Sequence, residues 1–70
     1  MDNEVITKKF GDNLRRFRLL KKLSQSALGE KLGFDKSYIS VLENGKKNPT
    51  LTTIGKLAKA MGIQVQSLIK

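Results

Sequence analysis

Residues 35–47 read DKSYISVLENGKK. Wound as a helix, this stretch offers Ile39 and Leu42 as a stripe to bury and leaves Lys36, Ser37, Ser40 and Val41 facing outward. That outward face is small and weakly charged, and Gly45 and a pair of lysines, Lys46 and Lys47, follow it. Such groups offer hydrogen bonds and charge attraction, not bond making. The chain has no histidine and no cysteine. The usual general bases, nucleophiles and zinc ligands are therefore missing, and six scattered carboxylates are all that is left for acid–base work. No catalytic residue, no metal site and no cofactor are expected, and enzyme activity is not expected either. Fourteen Lys and Arg against six Asp and Glu give a net charge of +8. A field of that sign gathers polyanions; nucleic acid, acidic protein and anionic membrane surfaces all qualify.

The elements that must position these residues come from a chain of 70 residues, one domain's worth and near the lower end of what folds alone. Without cysteine no disulfide can staple the fold, so helix packing has to hold it, which suits a reducing compartment. No apolar run approaches the ~20 residues a membrane span needs, and the start MDNEVITKK lacks the charge-then-apolar order of a signal peptide. A cytoplasmic protein with no membrane partner is expected. Nothing marks a linker or repeat, so residues 1–70 read as one domain with a polar tail over about residues 1–5.

Phe10, Leu14, Phe17 and Leu20 fall three or four apart and predict a first helix over about residues 6–22. Ser24 is a good N-cap for a second helix, QSALGEKL, in which Leu28 and Leu32 share a face; Gly33 can end it in a left-handed conformation. Phe34 and Asp35 then resemble a hydrophobic residue and an N-cap opening a third helix over about residues 36–44, closed by Gly45. Two helices joined by a three-residue turn containing glycine have the local grammar of a helix-turn-helix, over about residues 25–44. Pro49 lacks an amide donor and forces Asn48 out of the helical region, and Thr50 restarts a helix. In that fourth helix Leu51, Ile54, Leu57, Ala58 and Met61 form an apolar stripe that Gly62 ends. A last short helix, VQSLIK, is expected to return Val65, Leu68 and Ile69 to the core, although Gln64 is a poor cap.

From Leu14 to Leu68 the chain resembles the Cro and phage-repressor type of helix-turn-helix domain, also called the xenobiotic-response-element family. The resemblance rests on Arg18 before the turn, Ser24 and Gln25 opening helix two, Gly33, the YIS core and ENGKKNPTL after helix three. It implies an all-α fold, a compact five-helix bundle of the lambda-repressor-like type, that binds double-stranded DNA through its third helix. Lys36, Ser37 and Val41 align with positions that meet base edges, with Ser40 between them. A helix fits the major groove, where Lys36 can donate to guanine N7 or O6 and Val41 can pack against a thymine methyl. The plainer alternative leaves Lys36 on a solvated face and Val41 as surface padding. Gln25 and Asn44 align with residues that hold the DNA backbone. Lys46 and Lys47 add charge at the other rim, and the Tyr38 ring can pack on the domain while its hydroxyl reaches a phosphate. Arg18 and Glu43 align with residues that pair across the domain, a structural role.

Three positions depart from the family pattern. Lys22 stands where a helix-ending glycine is common, so it must accept a left-handed backbone or reshape the turn. Gly29 replaces the usual alanine at the crossing of helices two and three, where a small residue is required. Leu19 and Leu20 sit together where the family is often polar, which makes one of them either a candidate partner contact or simply a lone exposed leucine. Gly55, inside helix four, has no evident reason.

The function this reading implies is a sequence-specific transcriptional regulator of the Cro/C1 repressor type, acting as a homodimer on a palindromic operator with no small-molecule ligand; a restriction-modification controller, a phage-type repressor and an antitoxin all fit it. The homodimer surface is expected at the end of helix four and in IQVQSLIK. The main alternative is an antitoxin or coactivator-like protein-interaction module with secondary DNA binding. It predicts acidic or bulky apolar residues on the reading face, which this sequence lacks. A basic membrane-surface peptide would need one long amphipathic helix, and the glycines and Pro49 break the chain into short ones.

Overall fold

Thr7, Phe10, Gly11, Leu14 and Arg18 recur at three- and four-residue steps along the first helix and are all buried. They define the stripe on which the remaining helices assemble. The computed structural model describes residues 3–70, and the chain forms five helices: α1 (Asn3–Leu20), α2 (Gln25–Leu32), α3 (Lys36–Glu43), α4 (Leu51–Met61) and α5 (Val65–Ile69). α1 packs against α3 and α5, α2 against α3 and α4, and α4 against α5. The core they enclose contains Phe10, Leu14, Leu28, Ile39, Leu42, Ile54, Leu57, Ala58, Met61 and Leu68. Asn13 adds a polar tie, donating from Nδ2 to the Leu68 carbonyl at 2.9 Å.

Several boundaries and faces differ from expectation, each for a local reason. The helix expected from residue 6 begins at Asn3, so the polar tail over 1–5 is helical from that point; Met1 and Asp2 lie outside the described residues. Glu4 sits in the first turn, where the amide ends of a helix favour negative charge. Leu20 was expected on the buried stripe but is 67% exposed. Two residues, about 200° of helix rotation, separate it from Arg18, which occupies the stripe instead. Leu51 is exposed because it is the first residue of α4, ahead of the turns that reach the core. In α5 only Leu68 of the three expected residues is buried, and Val65 and Ile69 face outward.

The helix ends share one device. Lys22, at φ 58°, donates its backbone N–H to the Leu19 carbonyl, and Leu23 donates to that of Arg18. This paired closure recurs at Gly33, Gly45 and Gly62, the ends of α2, α3 and α4. Lys22 therefore takes the left-handed route and leaves the turn intact. At the starts, Ser24 Oγ accepts from the Ala27 N–H and Thr50 Oγ1 from the Thr53 N–H. Asp35 stands at the N-cap of α3 without a capping hydrogen bond from its side chain.

Two glycines set how closely the backbone can approach. A Cβ on Gly11 would lie 2.5 Å from the carbonyl oxygens of both Leu42 and Glu43, so α1 rests directly on the last turn of α3. A Cβ on Gly29 would lie 2.5 Å from the Phe34 carbonyl oxygen. The wall facing Gly29 is thus the backbone of the turn, and it is tighter than the requirement for a small residue at a helix crossing had suggested.

Candidate nucleic-acid interface

α3 is only eight residues long, so its orientation has to come from its neighbours. Ile39 and Leu42 are completely buried on its inner side. Phe34, just before the helix, meets Tyr38 edge to face with ring centroids 5.0 Å apart. At the far end Glu43 is buried and held by Arg18, which donates from Nε to Oε2 at 2.5 Å and from Nη2 to Oε1 at 3.1 Å. Arg18 also donates from Nη1 to the Leu23 carbonyl at 2.8 Å. Gln25 completes the cluster, donating from Nε2 to Glu43 Oε1 at 3.2 Å. One carboxylate thereby ties the end of α1, the start of α2 and the end of α3 in a single charge-assisted network.

The opposite side of α3 carries the residues singled out from the sequence. Lys36, Ser37 and Val41 are exposed, Val41 at 36%, and Ser40 is half-buried between them. None lies beneath the protein's own packing. Asn44 caps the helix and, like Lys46 and Lys47, is exposed. The turn that follows is ordered by its backbone, with Gly45 N–H on the Leu42 carbonyl and Lys46 N–H on that of Val41. The Lys47 ammonium lies 5.6 Å from the centre of the Tyr38 ring, so the half-buried ring packs on Phe34 and supports a cation at the rim.

Gln25, expected at the DNA backbone, also serves inside the protein. One of its two amide hydrogens is committed to Glu43, so only the second is left for an external acceptor. Gly11 was not singled out, because the carbonyls a side chain there would meet belong to Leu42 and Glu43, far along the chain. Lys8 falls near the start of the expected first helix, and no spacing in the sequence marks it as part of the site. It in fact borders the loop after α3, together with Asn44, Lys46, Lys47 and Asn48.

The result is a short helix anchored on its inner side, with an outward face of Lys36, two serines and Val41, bordered by amides and cations and built without histidine or cysteine. Among the described residues no helix is long and apolar enough to cross a membrane. The helix-turn-helix family matches residues 14–68, the same span over which the motifs resemble it. Among curated proteins, an uncharacterized HTH-type transcriptional regulator from Sinorhizobium fredii is 39% identical over 59 residues, covering 84% of this chain and 77% of that protein. The restriction-modification controller protein C.AhdI from Aeromonas hydrophila superposes with a TM-score of 0.84 at 42% identity, covering 89% of this chain and 94% of its own. The hydroxypropylphosphonic acid epoxidase from S. wedmorenis also contains this fold, with a TM-score of 0.90 and 26% identity over 96% of this chain. This chain spans only 36% of that enzyme, so the likeness is confined to one part of it. With more than half of its residues matched, the chain belongs to the Cro/C1-type helix-turn-helix family.

Proposed function

We propose that this chain, by family a DNA-binding transcriptional regulator, binds a palindromic operator as a homodimer and reads each half-site by laying α3 in the major groove. The observation that carries this reading is the division of α3 into two sides. Ile39, Leu42 and the Glu43–Arg18 pair hold it from within, and Lys36, Ser37, Ser40 and Val41 stand on the accessible side. Lys36 donates to guanine N7 or O6, Val41 packs on a thymine methyl, and the two serine hydroxyls exchange hydrogen bonds with neighbouring base edges. Asn44, Lys46, Lys47, the Tyr38 hydroxyl and the remaining Gln25 amide hydrogen hold phosphates, setting register and supplying salt-dependent affinity.

A single α3 reads too few base pairs to specify a site, which is the argument for a dimer with reading helices about 34 Å apart. Val65 and Ile69, exposed on α5, support placing the dimer contact at that end of the molecule. In this reading the protein is cytoplasmic, performs no catalysis and needs neither cofactor nor small-molecule ligand.

Selection from random DNA fragments at about 150 mM salt, a level at which non-specific binding is weak, tests the proposal. Recovery of an inverted repeat with half-sites one helical turn apart is the expected result. A pool without enrichment would overturn it and favour a protein-docking role for the same face.

A further inference from the structure

One more cation lies beside the loop that follows the reading helix. Lys8, in the second turn of α1, lines a hollow of about 530 Å³ together with Asn44, Lys46, Lys47 and Asn48. Backbone contact fixes this arrangement. A Cβ on Gly45 would lie 2.8 Å from the Cα of Lys8, so α1 and the loop after α3 meet with no side chain between them. Lys8 precedes residue 14, where the family match begins. It lies on the part of α1 that extends ahead of that match.

We propose that this hollow is a phosphodiester site in which Lys8 grips the same DNA strand as Lys46 and Lys47, extending the backbone footprint from the loop onto α1. The inference rests on the DNA-binding reading given above. Three lysines border one concavity, two of them on a loop ordered by its own backbone hydrogen bonds and by Lys47 over the Tyr38 ring. Lys8 meets Asp12 at 3.8 Å, but both side chains are largely exposed, at 75% and 65%. A pair of that kind is weak and readily exchanged for a phosphate. Glu4 lies one turn before Lys8 and also borders the hollow, so an anion is favoured on the loop side of Lys8 and disfavoured toward the start of α1. The asparagine amides of Asn44 and Asn48 add donors suited to phosphate oxygens. A contact of this type strengthens binding to every sequence alike and steepens its salt dependence.

The test is binding of the full chain to a mixed-sequence duplex of about 20 base pairs, two helical turns, measured by anisotropy across a salt series. Lys8→Gln, Lys46→Gln and, as a control for net charge alone, Lys59→Gln on α4 are compared with the unmodified chain. Lys8→Gln and Lys46→Gln are each expected to flatten the slope of log affinity against log salt by about 0.9 per bound protomer, Lys59→Gln to change it little, and Lys8→Arg to restore it. A flattened slope for Lys46→Gln with none for Lys8→Gln would overturn this inference and leave the DNA-binding reading in place. Equal changes for Lys8→Gln and Lys59→Gln would reduce Lys8 to general charge and overturn the inference as well. If the unmodified chain binds the duplex with no salt dependence, the DNA-binding reading fails and this inference with it.

Discussion

Arg18 in α1 and Glu43 in α3 lie 25 residues apart in sequence and share two hydrogen bonds of 2.5 and 3.1 Å in a nearly dry pocket. A buried pair of this kind adds little net stability over an apolar replacement, but removing one partner strands the other charge. Glu43→Gln is therefore expected to destabilise the domain by about 3 kcal/mol and to weaken DNA binding, since the same carboxylate fixes the end of α3. Replacing both partners, Arg18→Met with Glu43→Leu, should lose less stability than Glu43→Gln alone. Urea denaturation of the two variants beside the unmodified chain measures this, and unchanged stability and affinity in Glu43→Gln would remove the pair's proposed role.

Lys22 holds a left-handed backbone with a full side chain, at φ 58°. That conformation costs a non-glycine residue roughly 1–2 kcal/mol, offset in part by the lower entropy of its unfolded state. Lys22→Gly should stabilise the domain by about 1 kcal/mol, a rise in Tm of roughly 4–8 °C for a chain of this size. Thermal denaturation followed by circular dichroism decides it; a lower Tm would mean that the lysine side chain contributes something the turn geometry does not reveal.

Two mid-helix glycines should respond oppositely to the same change. A methyl group at Gly11 would meet two carbonyl oxygens at 2.5 Å, and backbone cannot step aside as a flexible side chain can. Gly11→Ala is expected to destabilise by about 1–3 kcal/mol, the range for forced overpacking. At Gly55 an added Cβ meets nothing within 4 Å. Gly55→Ala should therefore stabilise by close to 1 kcal/mol through helix propensity. Denaturant midpoints of the two variants should move in opposite directions.

The helices were legible in the sequence wherever caps and breakers punctuate it. Ser24, Gly33, Thr50, Pro49 and Gly62 act locally, and the ends of α2 and α4 fall where those residues predict. Which face of a helix is buried was less legible, because it depends on partners distant in sequence. The Phe10, Leu14, Phe17, Leu20 spacing reads as a stripe, but Arg18 replaces Leu20 in the interior because Glu43, far along the chain, neutralises it there. The outward residues of α3 were legible since Ile39 and Leu42 fix its inner side by periodicity alone. The place of Lys8 was not, since it follows from the approach of α1 to Gly45, which no local pattern encodes.

Lys36 and Lys46 carry the same charge and are both exposed, but the proposed roles give them opposite signatures. A lysine that donates to one base edge discriminates by about 1–3 kcal/mol at that position. Lys36→Ala should therefore relax the preference at one base pair in each half-site while leaving the rest of the recovered operator intact. Lys46→Gln removes a backbone contact instead, so it should weaken good and poor operators by the same factor and flatten the salt slope by about 0.9. Selection from random DNA reads the first effect and a salt titration the second. A Lys36→Ala variant that kept its full base preference, while its affinity for all sequences fell together, would move Lys36 from the groove to the strand and leave Ser37, Ser40 and Val41 to account for specificity.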